Sequence, residues 1–302
     1  MPTHEVLYCP HCKDALVRMS DNYYCHNCAY SYPIVDGIPS FVAQNATIDS
    51  FDASAFEFLF EMEQKHFWHV GRREIILDVL RENIPDLARC RMLEIGCGNG
   101  SVLAYLRQNG INIEGGDIFR EGLKFCQQRA GSAGLYQIDI LAMPFINSFD
   151  IVGLFDVLEH IDEDEQALRE INRALKPRGK VLLTVPAYKF LWSHSDVQSH
   201  HKRRYNKRDL VSKLERNGFV IDKISFYMCF QFPLFAIVRL ISNMLPGSRI
   251  RHNSTTSLEL KTIPIINDIL LLLLTLEKWL LRRFNLAFGS SLIALARKTD
   301  EG

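Results

Sequence analysis

The chain of 302 residues is 47% apolar, so it can bury a sizeable core, either as one large domain with an appendage or as two modest domains. Its 35 Lys and Arg residues balance 35 Asp and Glu residues, and a zero formal charge argues against a general nucleic-acid coat protein. The N-terminal residues MPTHE contain neither a basic n-region nor an apolar h-region, so we expect a cytoplasmic protein. Eight cysteines in such a chain indicate a metal site or free thiols rather than a disulfide framework.

Four of the cysteines form two C-x-x-C pairs in an N-terminal segment, residues 1–43: Cys9, Cys12, Cys25 and Cys28. Two such pairs can place four thiolates tetrahedrally around one structural Zn²⁺, which leaves no open coordination position. Redox-active pairs or two disulfides are the alternatives, and His11 and His26 are expected to be bystanders. A segment this small cannot close a core alone, so metal binding should supply its folding energy.

Residues 44–90 are predicted to be a polar linker followed by two helices. The second helix begins near Phe67 and Trp68 and continues through Arg72 and Arg73. The two aromatic residues suit either helix packing or the cover of a ligand. Either arginine could pair with a ligand carboxylate, and a solvated helix face is the alternative for both.

The glycine-rich stretch MLEIGCGNG, residues 92–100, predicts a strand, a tight turn and the start of a helix. Glycine lets a ligand approach the backbone where a Cβ would block it, and the helix start adds unpaired N–H groups with a positive dipole end. The stretch therefore predicts a cradle for an anionic or hydroxyl-rich small molecule. A dinucleotide site would favour G-x-G-x-x-G, but here the third glycine comes one residue early and Ser101 occupies the last position.

The glycine stretch resembles the first motif of the class I S-adenosylmethionine-dependent methyltransferases, and further motifs match in register over residues 91–160. Asp117 ends a second predicted strand, 21 positions after Gly96 (117 − 96), close to the spacing of about 20 at which a carboxylate meets ribose hydroxyls. Asp139 ends a third strand, where the family's acidic residue accepts a hydrogen bond from the adenine amino group. Residues 156–160, Asp-Val-Leu-Glu-His, follow a fourth strand and match the family's fourth motif.

The resemblance implies S-adenosylmethionine as the cofactor, in addition to structural Zn²⁺ in the N-terminal segment. The residues that the resemblance assigns to the cofactor are Arg72, Glu94, Gly96, Cys97, Gly98, Asn99, Gly100, Asp117, Ile118, Asp139, Ile140, Phe155 and Asp156. Among them, Cys97 is expected to be a small space-filling residue rather than a nucleophile.

The resemblance also implies the fold, an α/β architecture with a doubly wound, mostly parallel seven-stranded sheet over residues 91–302. An amphipathic helix is predicted from Glu163 to Leu175 and the fifth strand from Lys180 to Pro186, with the break Lys-Pro-Arg-Gly between them. The charged run at residues 159–165 is expected to be a solvated helix start, apart from His160.

Two histidines and a basic loop are the candidates for the chemistry of the methyl acceptor. The loop sequence HKRRY resembles that of a subgroup of bacterial methyltransferases linked with cell-surface glycan and lipid biosynthesis. His201 or His160 is the candidate general base, and Arg203, Arg204 and Tyr205 are the candidates for holding the acceptor. A solvated basic loop with a packed tyrosine is the alternative.

A hydrophobic insertion at residues 226–288 separates the last two predicted strands. Its apolar runs do not reach 18 uncharged residues, so a bilayer span is not expected. Arg239, Lys278, Arg282 and Arg283 beside apolar faces suit a helical hairpin on a membrane surface, peripheral at the inner face of the membrane. A dimer interface or plain core is the alternative, and the sequence does not fix the oligomeric state.

Three functional hypotheses follow from these motifs. The first is an S-adenosylmethionine-dependent methyltransferase that acts on an oxygen of a lipid-linked or cell-surface saccharide or of a small lipid. The second is methylation of a ribosomal RNA guanine, since one group of guanine methyltransferases also joins an N-terminal zinc module to this core, although the neutral charge disfavours a nucleic-acid partner. The third is a non-catalytic scaffold that binds S-adenosylmethionine.

The end of the N-terminal segment, residues 32–39, resembles the small zinc-ribbon proteins that partner some methyltransferases. In this sequence the module is fused to the methyltransferase-like region. Substrate contact, docking of a partner and support of the fold are its candidate roles.

Overall fold

The computed structural model of the chain describes residues 6–42, 53–131, 133–233, 236–237 and 264–300. The N-terminal strands are β1 (Val17–Arg18), β2 (Asn22–Cys25), β3 (Tyr30–Val35) and β4 (Ile38–Pro39). The strands of the central sheet are β5 (Arg91–Ile95), β6 (Asn112–Asp117), β7 (Leu135–Gln137), β8 (Phe149–Phe155), β9 (Leu175–Pro186), β10 (Phe219–Tyr227) and β11 (Ser291–Lys298). The helices are α1 (Ala53–Met62), α2 (Phe67–Asn83), α3 (Ser101–Gln108), α4 (Arg120–Ala130), α5 (Asp164–Ala174), α6 (His194–Gln198), α7 (Lys207–Arg216) and α8 (Pro264–Arg283).

The central sheet is seven-stranded, with the order β10-β11-β9-β8-β5-β6-β7. Strands β9, β8, β5, β6 and β7 pair in parallel, whereas β11 runs antiparallel to both of its neighbours, β9 and β10. The parallel order arises because each intervening helix returns the chain to the same end of the sheet. The predicted doubly wound, mostly parallel seven-stranded sheet is therefore confirmed.

Each face of the sheet carries its own apolar core, because successive side chains of a strand point to opposite faces. Met92 of β5 and Ile151 of β8 belong to one buried cluster. Their neighbours in the sequence, Leu93 and Val152, belong to the other cluster. The continuous apolar character of these strands follows from helices on both faces of the sheet.

Strand β9 begins earlier than the sequence predicted. The break expected between α5 and this strand is instead part of β9, which starts at Leu175, and Leu175 pairs with Phe149 of β8. Arg178 adopts a positive φ of 63°, which takes up the sharp turn within the strand. Lys176 Nζ donates a hydrogen bond to Asp150 Oδ2 at 2.8 Å and holds this extension beside β8.

Helix α8 packs against α2, and ion pairs tie the two helices together. Lys278 Nζ lies 2.8 Å from Glu74 Oε2, and Arg282 Nη2 lies 2.9 Å from Asp78 Oδ2. The charges of these two cations are therefore paired with carboxylates of α2, and contact of this segment with a membrane stays a prediction. Arg239, the first cation of the predicted hairpin, lies outside the described residues.

One face of α8 is apolar and solvent-exposed. Its members, spaced three or four residues apart and each more than half exposed, are Ile265, Ile269, Leu272, Leu276 and Trp279. We call this face the α8 stripe. None of the helices in the described ranges is long and apolar enough to span a membrane.

The N-terminal residues 6–42, called here the cysteine module, form the antiparallel sheet β1-β2-β3-β4. The module docks on the β7 edge of the central sheet. The backbone N–H of Phe41 donates to the carbonyl of Gln137 at 2.8 Å, and Ser40 Oγ donates to the side chain of the same residue at 2.9 Å. Tyr32 shares a hydrophobic cluster with Ile138, so the module covers an edge strand that would otherwise be open.

The four cysteines of the module converge as predicted, with all four Sγ atoms within 4.8 Å of one another. Sγ of Cys9 lies 3.9 Å from Sγ of Cys28, and Sγ of Cys12 lies 3.5 Å from Sγ of Cys25. These separations are far longer than a disulfide bond of about 2.05 Å. They fit a tetrahedron with Zn–S bonds of about 2.3 Å, in which sulfurs lie about 3.8 Å apart. His11 and His26, which were expected to be bystanders, are not members of this group of candidate ligands.

Replacing Cys25 with serine should destabilise the chain, because we expect the four thiolates to bind Zn²⁺ and the module to lose its cover of β7 without it. We expect zinc to be lost and the melting temperature to fall by about 5 °C or more, since 1 kcal/mol corresponds to about 2–4 °C in a domain of this size. Calorimetry and metal analysis measure the two effects. Cys90→Ser is the matched control, because Cys90 lies outside the cluster. An unchanged melting temperature in Cys25→Ser would contradict this role of the module.

Candidate active site

The predicted cofactor residues that follow α2 lie along one edge of the central sheet, where β5, β6, β7 and β8 end. Because these strands are parallel, the loops after them meet at the same edge, which is the usual ligand site of such sheets. The residues brought together at this edge are Glu94, Gly96, Cys97, Gly98, Asn99, Gly100, Asp117, Ile118, Asp139, Ile140, Phe155 and Asp156.

The glycines of the loop after β5 adopt backbone conformations that L side chains rarely adopt. The φ angles of Gly96, Gly98 and Gly100 are 71°, 47° and 73°. A Cβ on Gly96 would lie 2.3 Å from Cγ2 of Val157, so packing also requires glycine there. A Cβ on Gly98 would meet no atom within 4 Å. The space beside Gly98 is therefore open to a ligand, next to the N-terminus of α3.

Two carboxylates at the ends of β6 and β7 are oriented by backbone amides. Asp117 Oδ2 accepts a hydrogen bond from the N–H of Gly98 at 2.7 Å, and its Oδ1 accepts from Phe119 at 2.8 Å. Burial raises the pKa of Asp117, although these amide hydrogen bonds oppose the rise. Asp139 Oδ1 accepts from the N–H of Leu141 at 2.8 Å. Both carboxylates keep further lone pairs for hydroxyl or amino groups of a ligand.

Glu94, at the end of β5, is a buried carboxylate with an unsatisfied oxygen. The residue is 3% exposed, and its Oε2 has no hydrogen-bond partner among the described residues. Burial raises the pKa of Glu94 well above its ordinary value, and the positive charge of Arg72 opposes this only in part. A buried acceptor without a donor is costly. The position of Glu94 therefore suits an ammonium group of a ligand.

Arg72 is committed to a carboxylate of the chain itself. Its guanidinium forms an ion pair with Asp156 and donates to the carbonyl of Phe155 at 3.4 Å. It also lies 4.3 Å from the ring centre of Trp68, so this tryptophan packs against Arg72 within α2. The predicted pairing of Arg72 with a ligand carboxylate is thus replaced by a role in fixing the end of β8.

Two further predicted residues have side chains that serve packing. The thiol of Cys97 packs against Cys126, in agreement with its expected space-filling role. Asn99 Nδ2 donates to a backbone carbonyl of α1 at 2.9 Å and holds that helix over the glycine loop. Arg73, the alternative to Arg72, lies over the ring of Tyr105 at 4.9 Å and therefore belongs to the contact with α3.

A second group of titratable side chains, called here the histidine cluster, follows β8 and β9. His201 Nδ1 lies 2.9 Å from Asp196 Oδ1, and Arg204 binds the same carboxylate through Nε and Nη2 at 2.7 and 3.0 Å. The rings of His160 and His201 are 4.7 Å apart. His201 Nε2 faces Glu159 Oε1 at 4.0 Å. The structure therefore brings the two candidate bases together.

The protonation states in the histidine cluster follow from burial and charge. Burial and the neighbouring His201 lower the pKa of His160 to about 4, so its ring is neutral at neutral pH. Although burial opposes it, hydrogen bonds from His201 and Arg204 hold the pKa of Asp196 below its ordinary value. An ionised Asp196 accepts a hydrogen bond from the Nδ1–H of His201. In the neutral ring this arrangement leaves the lone pair on Nε2.

Two residues that were predicted to hold the acceptor are instead buried, and their polar groups are bonded within the chain. The guanidinium of Arg204 is buried, and its donors are directed at Asp196 and at the carbonyl of Ala187, 3.1 Å from Nη1. Tyr205 is buried and donates its hydroxyl to Asp164 Oδ2 at 2.8 Å. The prediction that Arg204 and Tyr205 bind the acceptor is therefore wrong, because the fold already uses their polar groups.

The charged run at residues 159–165 is not the solvated helix start that the sequence predicted. The side chain of Glu159 is buried, and neither oxygen has a partner within the ranges that the structure describes. Burial raises the pKa of Glu159 well above its ordinary value. Asp164 is also buried, and Lys213 Nζ lies 2.7 Å from its Oδ1. Asp162 is exposed, as expected.

Sequence reasoning missed Asp196 and Glu159. For Asp196 a signal was present, because the pattern Ser-x-x-Asp at 193–196 is a capping box. The N–H of Ser193 donates to Asp196 Oδ2 at 2.8 Å. Glu159 gave no such signal, since its burial arises from tertiary contacts of the segment after β8.

Comparisons with known proteins agree with this geometry. Residues 93–183 match the model of the methyltransferase domain family Methyltransf_11, and residues 2–37 match that of Trm112p-like proteins. The malonyl-[acyl-carrier protein] O-methyltransferase of Enterobacter lignolyticus is 27% identical over 157 residues, which are 49% of this chain and 62% of that protein. The ubiquinone biosynthesis O-methyltransferase of Idiomarina loihiensis is 30% identical over 100 residues, 31% of this chain and 41% of that protein.

The matches thus span less than two thirds of the length of these curated relatives. Among solved structures, a chain from the complex of the Haloferax volcanii Trm112 methyltransferase activator with a methyltransferase-like protein has a TM-score of 0.54 at 18% identity. The match covers 83% of this chain and 96% of that chain, and at this identity it shows the fold alone.

Replacing Arg204 with methionine should destabilise the chain by about 3–5 kcal/mol, because it leaves the buried Asp196 carboxylate without its bidentate partner. Urea unfolding measures this free energy. Arg208→Met, on the exposed face of α7, is the control and should change it by less than about 0.5 kcal/mol. If the Arg204→Met chain were as stable as the control, the internal role of Arg204 would be refuted.

Proposed function

Since residues 93–183 match the methyltransferase domain family, we propose that the chain is an S-adenosylmethionine-dependent methyltransferase that methylates an oxygen of a lipid-linked or cell-surface saccharide or of a small lipid. The observation that carries the donor assignment is the buried Oε2 of Glu94, which has no hydrogen-bond partner in the described ranges and lies on the strand that leads into the open glycine loop. The oxygen assignment is supported by the relatives named above, which are O-methyltransferases.

The residues at the sheet edge fit the parts of S-adenosylmethionine. Glu94 suits the α-ammonium group, and the amides of the glycine loop suit the carboxylate. Asp117 suits the ribose hydroxyls, as in other nucleotide-binding sheets. Asp139, at the end of the next strand, suits the adenine amino group. When bound, the cofactor supplies an activated methyl group, and the protein has to align the acceptor and exclude water.

Donor binding should release a proton at pH values below the raised pKa of Glu94 in the free chain. The buried Glu94 has a raised pKa in the free chain, and an ammonium group beside it favours the ionised form. Affinity for the donor should therefore rise with pH up to the pKa of Glu94 in the free chain. Calorimetry in buffers of different ionisation enthalpy measures the released proton.

Glu94→Gln should abolish that proton release and weaken donor binding by roughly 10- to 100-fold, the worth of a hydrogen bond to a charged group. Glu121→Gln on the exposed start of α4 is the matched control and should leave both unchanged. No heat of binding with S-adenosylmethionine or its demethylated product in the wild-type chain would sink the proposed function.

An aromatic cluster beside the histidine cluster supports the proposal that the acceptor has an apolar part. Tyr188 stacks on Phe226 at 5.1 Å between ring centres and contacts Phe232 at 5.6 Å. Phe288 lies 6.0 Å from Phe232, and Phe190 and Phe288 are about half exposed. Half-exposed rings at the end of β9 can cover a lipid chain.

A basic groove adjoins the aromatic cluster at Lys189 and has a volume of about 480 Å³. Its lining includes Lys189, Lys202, Arg203, Lys213 and Arg216. A groove lined by polar and basic groups next to aromatic rings suits an acceptor with a polar head and an apolar tail. The α8 stripe supports delivery of such an acceptor from a membrane surface, which we propose the chain contacts peripherally.

Ribosomal RNA is the less supported acceptor. Lys202 pairs with Asp162 at 3.2 Å, and Arg203 Nη1 pairs with Asp164 at 2.9 Å. Such internal pairing reduces the positive charge that phosphates would meet. The scaffold hypothesis is disfavoured by the intact set of Glu94, Asp117 and Asp139 at the sheet edge.

We propose that the cysteine module assists the methyltransferase region of its own chain. Its family match is to Trm112p-like proteins, and the Haloferax volcanii protein of that name is described as a methyltransferase activator. We infer that the fused module supports the β7 side of the donor site in the same chain.

Transfer of a tritiated methyl group should label a membrane lipid extract and leave ribosomal RNA unlabelled. Leu272→Glu with Leu276→Glu should reduce labelling of vesicle-borne lipid about tenfold, since burying an exposed leucine is worth about 1.5–3 kcal/mol. Donor affinity should be unchanged in this variant. Val220→Glu, an exposed apolar position on β10, is the control. Label in RNA would overturn the acceptor assignment, and a dimer dissociated by the α8 variant would assign the stripe to an interface.

A further inference from the structure

We propose that Glu159, His160 and His201 bind one divalent transition-metal ion, in addition to the zinc of the cysteine module. One ligand atom from each of the three side chains lies within 4.8 Å of the other two. In particular, His201 Nε2 is 4.0 Å from Glu159 Oε1, and the two imidazole rings are 4.7 Å apart. Small side-chain adjustments bring such atoms to the separations of about 3–3.5 Å that ligands of one ion have.

Glu159 is the residue that points most directly to a cation. It is 0% exposed, and neither of its oxygens has a hydrogen-bond partner within the described ranges. The nearby guanidinium groups are already engaged, since Arg72 pairs with Asp156 and Arg204 pairs with Asp196. A buried carboxylate without a partner is strongly disfavoured, and a coordinated ion removes that cost.

His201 is already oriented as a metal ligand. Its Nδ1 lies 2.9 Å from Asp196 Oδ1, so the lone pair of Nε2 is directed towards Glu159. A carboxylate that holds the remote ring nitrogen is the usual support of a ligating histidine, because it fixes the tautomer and the ring orientation. Asp196 is itself held by Arg204 and by the N–H of Ser193. Asp196 and Arg204 are therefore positioning residues for this site.

The donor set identifies the class of ion. Two imidazole nitrogens and one carboxylate suit Zn²⁺ and related first-row divalent ions, whereas Mg²⁺ and Ca²⁺ prefer oxygen ligands alone. Three protein ligands leave at least one coordination position open, unlike the four thiolates of the cysteine module. The site is thus of the kind that accepts an oxygen of a substrate or water.

The role of the ion rests on the proposed function. A coordinated hydroxyl of the acceptor loses its proton to solvent more readily, because the ion lowers its pKa. The oxygen then forms a bond to the methyl carbon, while the carbon–sulfur bond of the donor breaks and its electron pair stays on sulfur. His160 and His201 act as ligands in this scheme, so neither takes the proton as a general base.

Titration of the full chain with Co²⁺, after the cysteine module has been filled with Zn²⁺, tests the metal site. Thiolates prefer Zn²⁺ to Co²⁺, so cobalt should enter the second site alone. We expect one equivalent of Co²⁺ with visible ligand-field bands and without thiolate charge-transfer absorption. Glu159→Gln and His201→Gln should each weaken binding roughly tenfold or more, and Asp196→Asn should weaken it by about 10–100-fold.

Glu163→Gln is the matched control, because it removes an exposed carboxylate nearby and should leave cobalt binding unchanged. Circular dichroism establishes that each variant is folded. A wild-type chain that takes up no second ion, or a folded Glu159→Gln and His201→Gln pair that both retain it, would overturn the proposal. Donor calorimetry on the same samples separates the two claims: donor binding without a second ion refutes the metal site alone, and a second ion without donor binding refutes the proposed function alone.

Discussion

The arrangement of the predicted cofactor residues at the edge of the central sheet depends on one hydrogen bond, which the amide of Gly98 donates to the carboxylate of Asp117. This contact joins the loop after β5 to the end of β6, and the amide of Gly96 bonds to the carbonyl of Gly116 on the same strand at 2.7 Å. The loop is therefore fixed by β6 at two points. As a result, the open space beside Gly98 keeps a constant relation to the carboxylate, which is what a preorganised site requires.

The buried carboxylates of the described residues differ in how their charges are compensated. Arg72 with Asp156, and Arg204 with Asp196, are buried pairs whose charges satisfy one another. Within the part of the chain that the structure describes, Glu277 has one oxygen without a hydrogen-bond partner, but its other oxygen accepts from the N–H of Cys229 at 2.7 Å. In the same ranges neither oxygen of Glu159 has a hydrogen-bond partner, and the Oε2 of Glu94 lacks one at the sheet edge. Desolvation without compensation is costly, so the fold tolerates it best where a ligand supplies the missing partner.

The sequence predicted what depends on local pattern. Strand ends, the glycine turn and the cysteine spacing are set by neighbouring residues, so the sheet edge and the converging thiolates could be placed in advance. The roles of Arg204 and Tyr205 could not, because Asp196 and Asp164, which use their donors, are eight or more positions away and meet them only in the fold. The burial of Glu159 likewise arises from tertiary contacts. The charged run at residues 159–165 predicted a solvated position instead.

Contacts through β7 connect the cysteine module to the proposed donor site, although the sequence separates the two. Strand β7 has three residues and lies at the edge of the central sheet, so its own pairing with β6 is short. The module adds hydrogen bonds to Gln137 on the open side and buries Tyr32 in the same cluster as Ile138. Asp139 follows immediately, so the carboxylate that we propose for adenine lies just after a strand that the module supports from outside. The folding of the cysteine module is thereby linked through β7 to the position of Asp139.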